Sequence, residues 1–184
     1  MQRKSIYKYA SEAGIPFGIY LTFMSSCLLL SIKVPFLQLL FLPLCIGFPI
    51  LLWTLLKKII KAEPSYQKFS SVWLGGIYTV IFGTLICLFF SALYLVFIEP
   101  GFVHNYINNA IMAVETSPMA GEYEDTVAMM REAMAMHLLP SGFEFATSMA
   151  WFTCFFGSIV SMVLAFFMTF KRRKASPTVP EYNN

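Results

Sequence analysis

Residues 69–98 read FSSVWLGGIYTVIFGTLICLFFSALYLVFI, a stretch without a single Asp, Glu, Lys or Arg. At 1.5 Å per residue a helix this long measures about 45 Å, enough to cross the roughly 30 Å hydrocarbon core of a bilayer with tilt to spare. A helix on a soluble core keeps one charged face for water, and this one keeps none. A helix surrounded by lipid is the form in which its backbone groups stay satisfied.

Three further charge-free runs flank it, over residues 13–32, 34–56 and 145–170. The chain of 184 residues is 58% hydrophobic and 12% charged, against about 25% charged in an ordinary soluble domain, which excludes a water-soluble globule. The sequence predicts one membrane domain over residues 1–184, all-α and polytopic, with four transmembrane helices. Lys33 alone separates the first two runs, and Val34 and Pro35 follow it, predicting a tight hairpin because proline opens a helix but does not continue one. A short basic connection over residues 57–68, broken by Pro64, joins the second run to the third. The third and fourth are joined by an acidic segment over 99–144, and residues 171–184 form a tail.

Of the 13 Lys and Arg residues, all but Lys33 and Arg131 fall on one side of this arrangement: Arg3, Lys4, Lys8, Lys57, Lys58, Lys61, Lys68 and Lys171 to Lys174. Retained basic residues mark the cytoplasmic face, so both termini are expected inside and residues 99–144 outside. The net charge of +3 averages two unlike faces, and its basic clusters border the membrane, where they meet anionic lipid rather than nucleic acid. Met24-Ser25-Ser26-Cys27 has a faint likeness to a lipoprotein cleavage box, but Leu28-Leu29-Leu30 carries the apolar run past the cysteine, favouring an uncleaved span. Cys27, Cys45, Cys87 and Cys154 all fall inside spans, giving neither a disulfide framework nor a metal spacing.

Helices in lipid associate through close packing at small residues. Gly14, Gly18, Thr22 and Ser26 recur every fourth position in the first span, and Thr79, Gly83, Cys87 and Ser91 do so in the third. Ala150, Cys154, Gly157, Ser161 and Ala165 follow a mixed spacing of three and four in the fourth. These faces are expected to meet inside the bundle, the alternative being a dimer face. The second span has no such stripe and holds Pro43 and Pro49 after Pro35, which predicts a peripheral seat. No span carries an ionisable side chain of the kind that lines proton or ion paths, and Gln38 with scattered Ser and Thr is all that remains polar.

After the breaker pair Pro100-Gly101, Val103, Ile107, Ala110, Ile111 and Val114 fall on one helical face and Asn105, Asn108 and Asn109 on another. Ser117-Pro118 and the acids Glu122, Glu124 and Asp125 suggest the start of a second helix, expected to reach about Leu139 before Pro140-Ser141-Gly142. Tyr123, Val127, Met130, Met134, His137 and Leu138 would share its packing stripe, leaving Met129 and Met136 beside the acidic face as candidates for an adaptable protein contact. Met130, Met134 and His137 also make a candidate Cu(I) site, since thioether and imidazole ligands suit that ion; ordinary packing with a capping histidine is the plainer reading. His104, His137 and the dispersed carboxylates form no recognisable catalytic set, and no cofactor is implied. Glu99 and Glu144 could approach each other, or stand as two solvated helix-end acids.

The order of parts, from Ala13-Gly14 through the tight hairpin, the lysine-rich inner loop, the Asn-rich helix, Met129-Met130-Arg131-Glu132-Ala133-Met134 and the Pro-Ser-Gly-Phe entry into the last span, resembles a family of small membrane proteins of Bacteroidota, domain of unknown function 4199. The resemblance implies a bacterial inner-membrane setting. It offers a membrane glycosyltransferase as a partner through gene neighbourhood, and it supplies no catalytic residues. The sequence therefore points first to a non-enzymatic accessory or scaffold subunit for another envelope protein. A small homo-oligomeric transporter of a lipid or small molecule, with a polar path built between subunits from Gln38, Ser25, Ser26 and the small-residue faces, is the second reading. An extracytoplasmic metal or stress sensor is the third.

Overall fold

The computed structural model describes residues 6–34, 36–62, 68–117, 121 and 123–173, with side chains as far as Phe170. Arg3, Lys4, Lys174, the prolines Pro35, Pro64 and Pro118, Glu122 and the tail beyond Arg173 lie outside the described residues. The elements are α1 (Ile6–Leu30), α2 (Phe36–Ala62), α3 (Phe69–Leu93) with a π-helical turn over Tyr94–Ile98, α4 (Phe102–Glu115), α5 (Glu124–Ala135) and α6 (Gly142–Arg173). Four of these helices, α1, α2, α3 with its π turn, and α6, are long and apolar enough to cross a membrane. There is no strand among the described residues. The protein is an all-α, multi-pass integral membrane protein, with α4 and α5 forming a two-helix cap between the third and fourth spans.

The first helix starts at Ile6, seven positions before the charge-free run, and carries Lys8 and Glu12 in its opening turns. Charged side chains are tolerated at a helix end that leaves the hydrocarbon, while Ala10 and Ala13 hold the same helix against the bundle. For the same reason α2 runs on through Lys57, Lys58 and Lys61, with the Lys57 ammonium 5.0 Å from the centre of the Trp53 ring. The last span begins at Gly142 because Ser141 and Glu144 close a capping box. The Ser141 amide donates to Glu144 Oε2 at 2.7 Å, and the Glu144 amide donates back to Ser141 Oγ at 3.3 Å.

The central helix is α3, and it uses two different faces. Against α1 it sets Gly83: a Cβ on Gly14 would lie 2.6 Å from Phe82 Cβ, and one on Gly83 would lie 2.7 Å from the Phe17 ring. Against α6 it sets Gly76 and Val80, which meet Ser161 and Gly157. Backbones this close gain dispersion contacts that lipid tails would otherwise supply. Buried Thr79 and Ser161 stay satisfied by donating to the carbonyls of Gly75 and Gly157 at 2.8 and 2.7 Å. The small-residue faces of α1 and α3 thus meet, whereas the α6 face packs on Gly76 and Val80 rather than on the stripe through Thr79 and Gly83.

Packing is uneven along the bundle. Toward the end where α1 starts, Phe17, Leu21, Leu52, Leu56, Ile60, Val80, Ala165 and Met168 form one continuous core from all four spans. Toward the cap, the core narrows to Leu29, Leu95, Phe102, Val103 and Ala146, contributed by α1, the π turn, α4 and α6. The cap-side half of α2 is missing from it: Leu39, Leu42, Ile46 and Ile50 are exposed.

Candidate functional site

The separation of α2 from α6 in the cap half has a local cause. Pro43 and Pro49 remove the amides that would reach the carbonyls of Leu39 and Cys45, and no small-residue stripe lets α2 approach closely there. The Tyr20 hydroxyl of α1 donates to the Leu44 carbonyl of α2, beside Gly47. A Cβ at position 47 would run into that hydroxyl and displace it. Beyond this point the facing positions on α1, α3 and α6 are Ser25, Ser91, Ala146 and Ala150, too small to fill the space.

The result is a half-enclosed cavity of about 630 Å³ between the four spans. Leu21, Met24 and Leu28 of α1, Phe41, Cys45 and Phe48 of α2, Leu88 of α3, and Met149, Phe152, Phe156 and Val160 of α6 give it an apolar wall. Its size falls within the range of small-molecule sites, about 300–1,000 Å³. One strip of the wall is polar. Ser25 Oγ and Ser91 Oγ lie 2.9 Å apart, with Cys87 Sγ 3.8 Å from Ser91. Thr84 also lines the cavity; it is 4% exposed, and its Oγ1 has no hydrogen-bond partner.

At the cap end the α1–α2 turn is locked to the end of the third span. Lys33 Nζ stands 3.0 Å from Glu99 Oε2, and the Tyr94 hydroxyl donates to the same oxygen at 2.7 Å. The π turn makes this possible: the Glu99 amide donates to the Tyr94 carbonyl, five residues back, so Tyr94 and its acceptor share a side. The Tyr94 hydrogen bond foremost, and Lys33 with it, hold the Glu99 carboxyl below the usual carboxylate range. Glu99 and Glu144 therefore do not form a pair, since each is engaged elsewhere.

The cap differs from its sequence reading in two places. Ser117 belongs to the end of α4, where its hydroxyl donates to the Val114 carbonyl at 2.7 Å, and α5 starts only at Glu124. At its other end α5 stops at Ala135, short of Leu139. His137 has a φ of 53°, its amide reaches the Met134 carbonyl at 3.2 Å, and the Leu138 amide reaches Ala133 at 2.9 Å. This is a Schellman ending with histidine where glycine is usual. His137 consequently lies past the end of the helix face that Met130 and Met134 share. Val127 alone of the expected stripe is buried, and Glu115 and Arg131 tie α4 to α5 by an ion pair. Met129 and Met136 are 64% and 57% exposed.

Of the other expected positions, Gly14, Gly18, Gly83, Gly157 and Ser161 lie in the helix contacts, Cys87 and Ser91 face the cavity, and Cys154 is half-buried on α6. Within the chain, Gln38 is exposed on α2, Ser25 lines the cavity, and Ser26 donates to the Thr22 carbonyl along a different groove.

The family described as Protein of unknown function (DUF4199) matches residues 13–169. The chain belongs to that family. The matched span takes in the cavity, the cap and the Lys33–Glu99 lock. No curated protein and no solved structure matches the chain.

Proposed function

We propose that this chain is a non-enzymatic protein of a bacterial inner membrane that holds the apolar part of a lipid in the cap half of its bundle. The observation that carries this reading is the apolar cavity of about 630 Å³ lined by all four spans in the cap half of the bundle. A cavity walled by Phe, Leu and Met side chains at membrane depth is filled at least cost by hydrocarbon. The gathering of basic residues on one side supports cytoplasmic termini, and with them a cavity at the depth of the outer leaflet. A non-catalytic role is supported by how the ionisable groups are used: Glu99 in a lock, Glu144 in a helix cap and His137 in a helix ending. The test is saturable uptake of cis-parinaric acid, a fluorescent polyene fatty acid, by the full chain in detergent. Uptake is expected in the wild type and lost in Ala150→Phe, which fills the cavity. Uptake unchanged by that substitution would refute the reading.

A second reading, an accessory subunit that docks another envelope protein such as a membrane glycosyltransferase, is favoured by the exposed Met129 and Met136 on a cap helix. Crosslinked purification from native membranes should then yield one stoichiometric partner that Met129→Glu with Met136→Glu loses. Recovery of the chain alone would count against it.

A further inference from the structure

A hydroxyl inside a lipid-embedded helix is satisfied most simply by the carbonyl four residues back, and Thr22, Ser26, Thr79, Thr153 and Ser161 all donate there. Ser25 and Ser91 do not. Their hydroxyls turn from their own helices toward each other, 2.9 Å apart across the α1–α3 contact, and both side chains are half-buried on the cavity wall. Each hydroxyl carries one proton and two lone pairs, so the bond between them spends one of the two protons. The other is met by Cys87 Sγ alone, 3.8 Å from Ser91 Oγ, and a thiol sulfur is a weak acceptor. A strong donor is thus left over in a wall that is mostly Leu, Met, Phe and Ala. Thr84, deeper in the same wall, does not share this role, because its oxygen is closed off by the packed helices.

The serine pair also has a definite depth. The middle of the third span, Phe69–Ile98, falls between Gly83 and Thr84, which puts Ser91 about 11 Å from the midplane on the cap side. The hydrocarbon core ends about 15 Å from the midplane, so the pair lies just inside its edge. In an acyl lipid the carbonyl that joins chain to head is the innermost polar group, and everything deeper is hydrocarbon. Resting on the reading that the cavity holds a lipid, we infer that Ser25 and Ser91 form the polar end of its site and receive an acyl carbonyl, of an ester or of a free fatty acid. The spare hydroxyl proton is donated to the carbonyl oxygen, and the chain runs from there past Met24, Phe48 and Met149 toward Val160. A ligand without such an oxygen would leave that donor facing hydrocarbon unmet.

The experiment displaces cis-parinaric acid from the full chain in detergent with methyl oleate, with oleic acid or with octadecene, a hydrocarbon of the same chain length. The two carbonyl compounds are expected to displace the probe at lower concentration than octadecene, and the stronger of them shows whether the carbonyl arrives as an ester or as a free acid. In Ser25→Ala with Ser91→Ala, the advantage of the better carbonyl compound over octadecene should shrink about tenfold. The comparison is made within each variant, so a change in the probe's own affinity cancels. Ser26→Ala, which removes a hydroxyl from the other groove, should keep the wild-type advantage. Octadecene as potent as both carbonyl compounds on the wild type, or an advantage that survives the loss of both serines, would overturn the inference while probe uptake blocked by Ala150→Phe still upheld lipid binding. Probe uptake indifferent to Ala150→Phe would overturn both.

Discussion

Thr84 and His137 are the residues at which ordinary local rules are set aside. A buried hydroxyl without a partner costs about 1–3 kcal/mol. In protein freed of added lipid, Thr84→Val should therefore be more stable by about 1 kcal/mol and unfold at a higher temperature in a thermal scan in detergent; a lower midpoint would show that the hydroxyl is satisfied after all. His137 takes a backbone conformation that costs a side chain about 1–2 kcal/mol, so His137→Gly should slow amide exchange at Leu138 and His137→Val should speed it. Equal rates would deny the Schellman ending. Glu99 gives a pH dependence of known sign. Its carboxyl is held below its unfolded value, so the lock contributes fully above about pH 5 and is lost as pH falls through the lowered pKa. The unfolding midpoint of the wild type should drop on acidification by more than that of Glu99→Gln, and parallel curves would contradict the lock.

At the scale of elements, the account rests on α1 and α3 lying in contact along Gly14, Gly18 and Gly83. Ser25 Oγ and Ser91 Oγ are 2.9 Å apart at the cap end of that contact, so cysteines at both positions should crosslink on oxidation in a background lacking the native cysteines. Gly83→Leu, whose side chain would strike Phe17 and the Gly18 backbone, should abolish the crosslink; its survival would mean that the helices pair by another route. The spans themselves were legible because a run without charge has only one economical environment. Their ends were less so: Lys8 and Glu12 interrupt the run yet sit within α1. The S-x-x-E pattern at Ser141 and Glu144 does mark the start of α6. The end of α5 carries no such mark, because Met134, His137 and Leu138 keep the helical period and His137 stands where a glycine would have signalled the stop.

For the molecule as a whole, periodicity shows which face of each helix is small but not which neighbour it meets. The stripes on α1 and α3 do face each other, while α6 lies on the other side of α3, against Gly76 and Val80. That order leaves Ser91 and Ala150 at the cavity wall, and from sequence alone the same two residues read as packing. The Lys33–Glu99 lock was hidden for a related reason, since it joins two turns that become neighbours only through the α1–α3 contact. On the proposed reading the cap half of the bundle holds one apolar ligand in the cavity between the spans. Native mass spectrometry of the full chain released from lipid nanodiscs tests it most directly. The account predicts one lipid-sized adduct retained per wild-type chain and none on Ala150→Phe; no adduct on the wild type, or the same adduct on both, would contradict it.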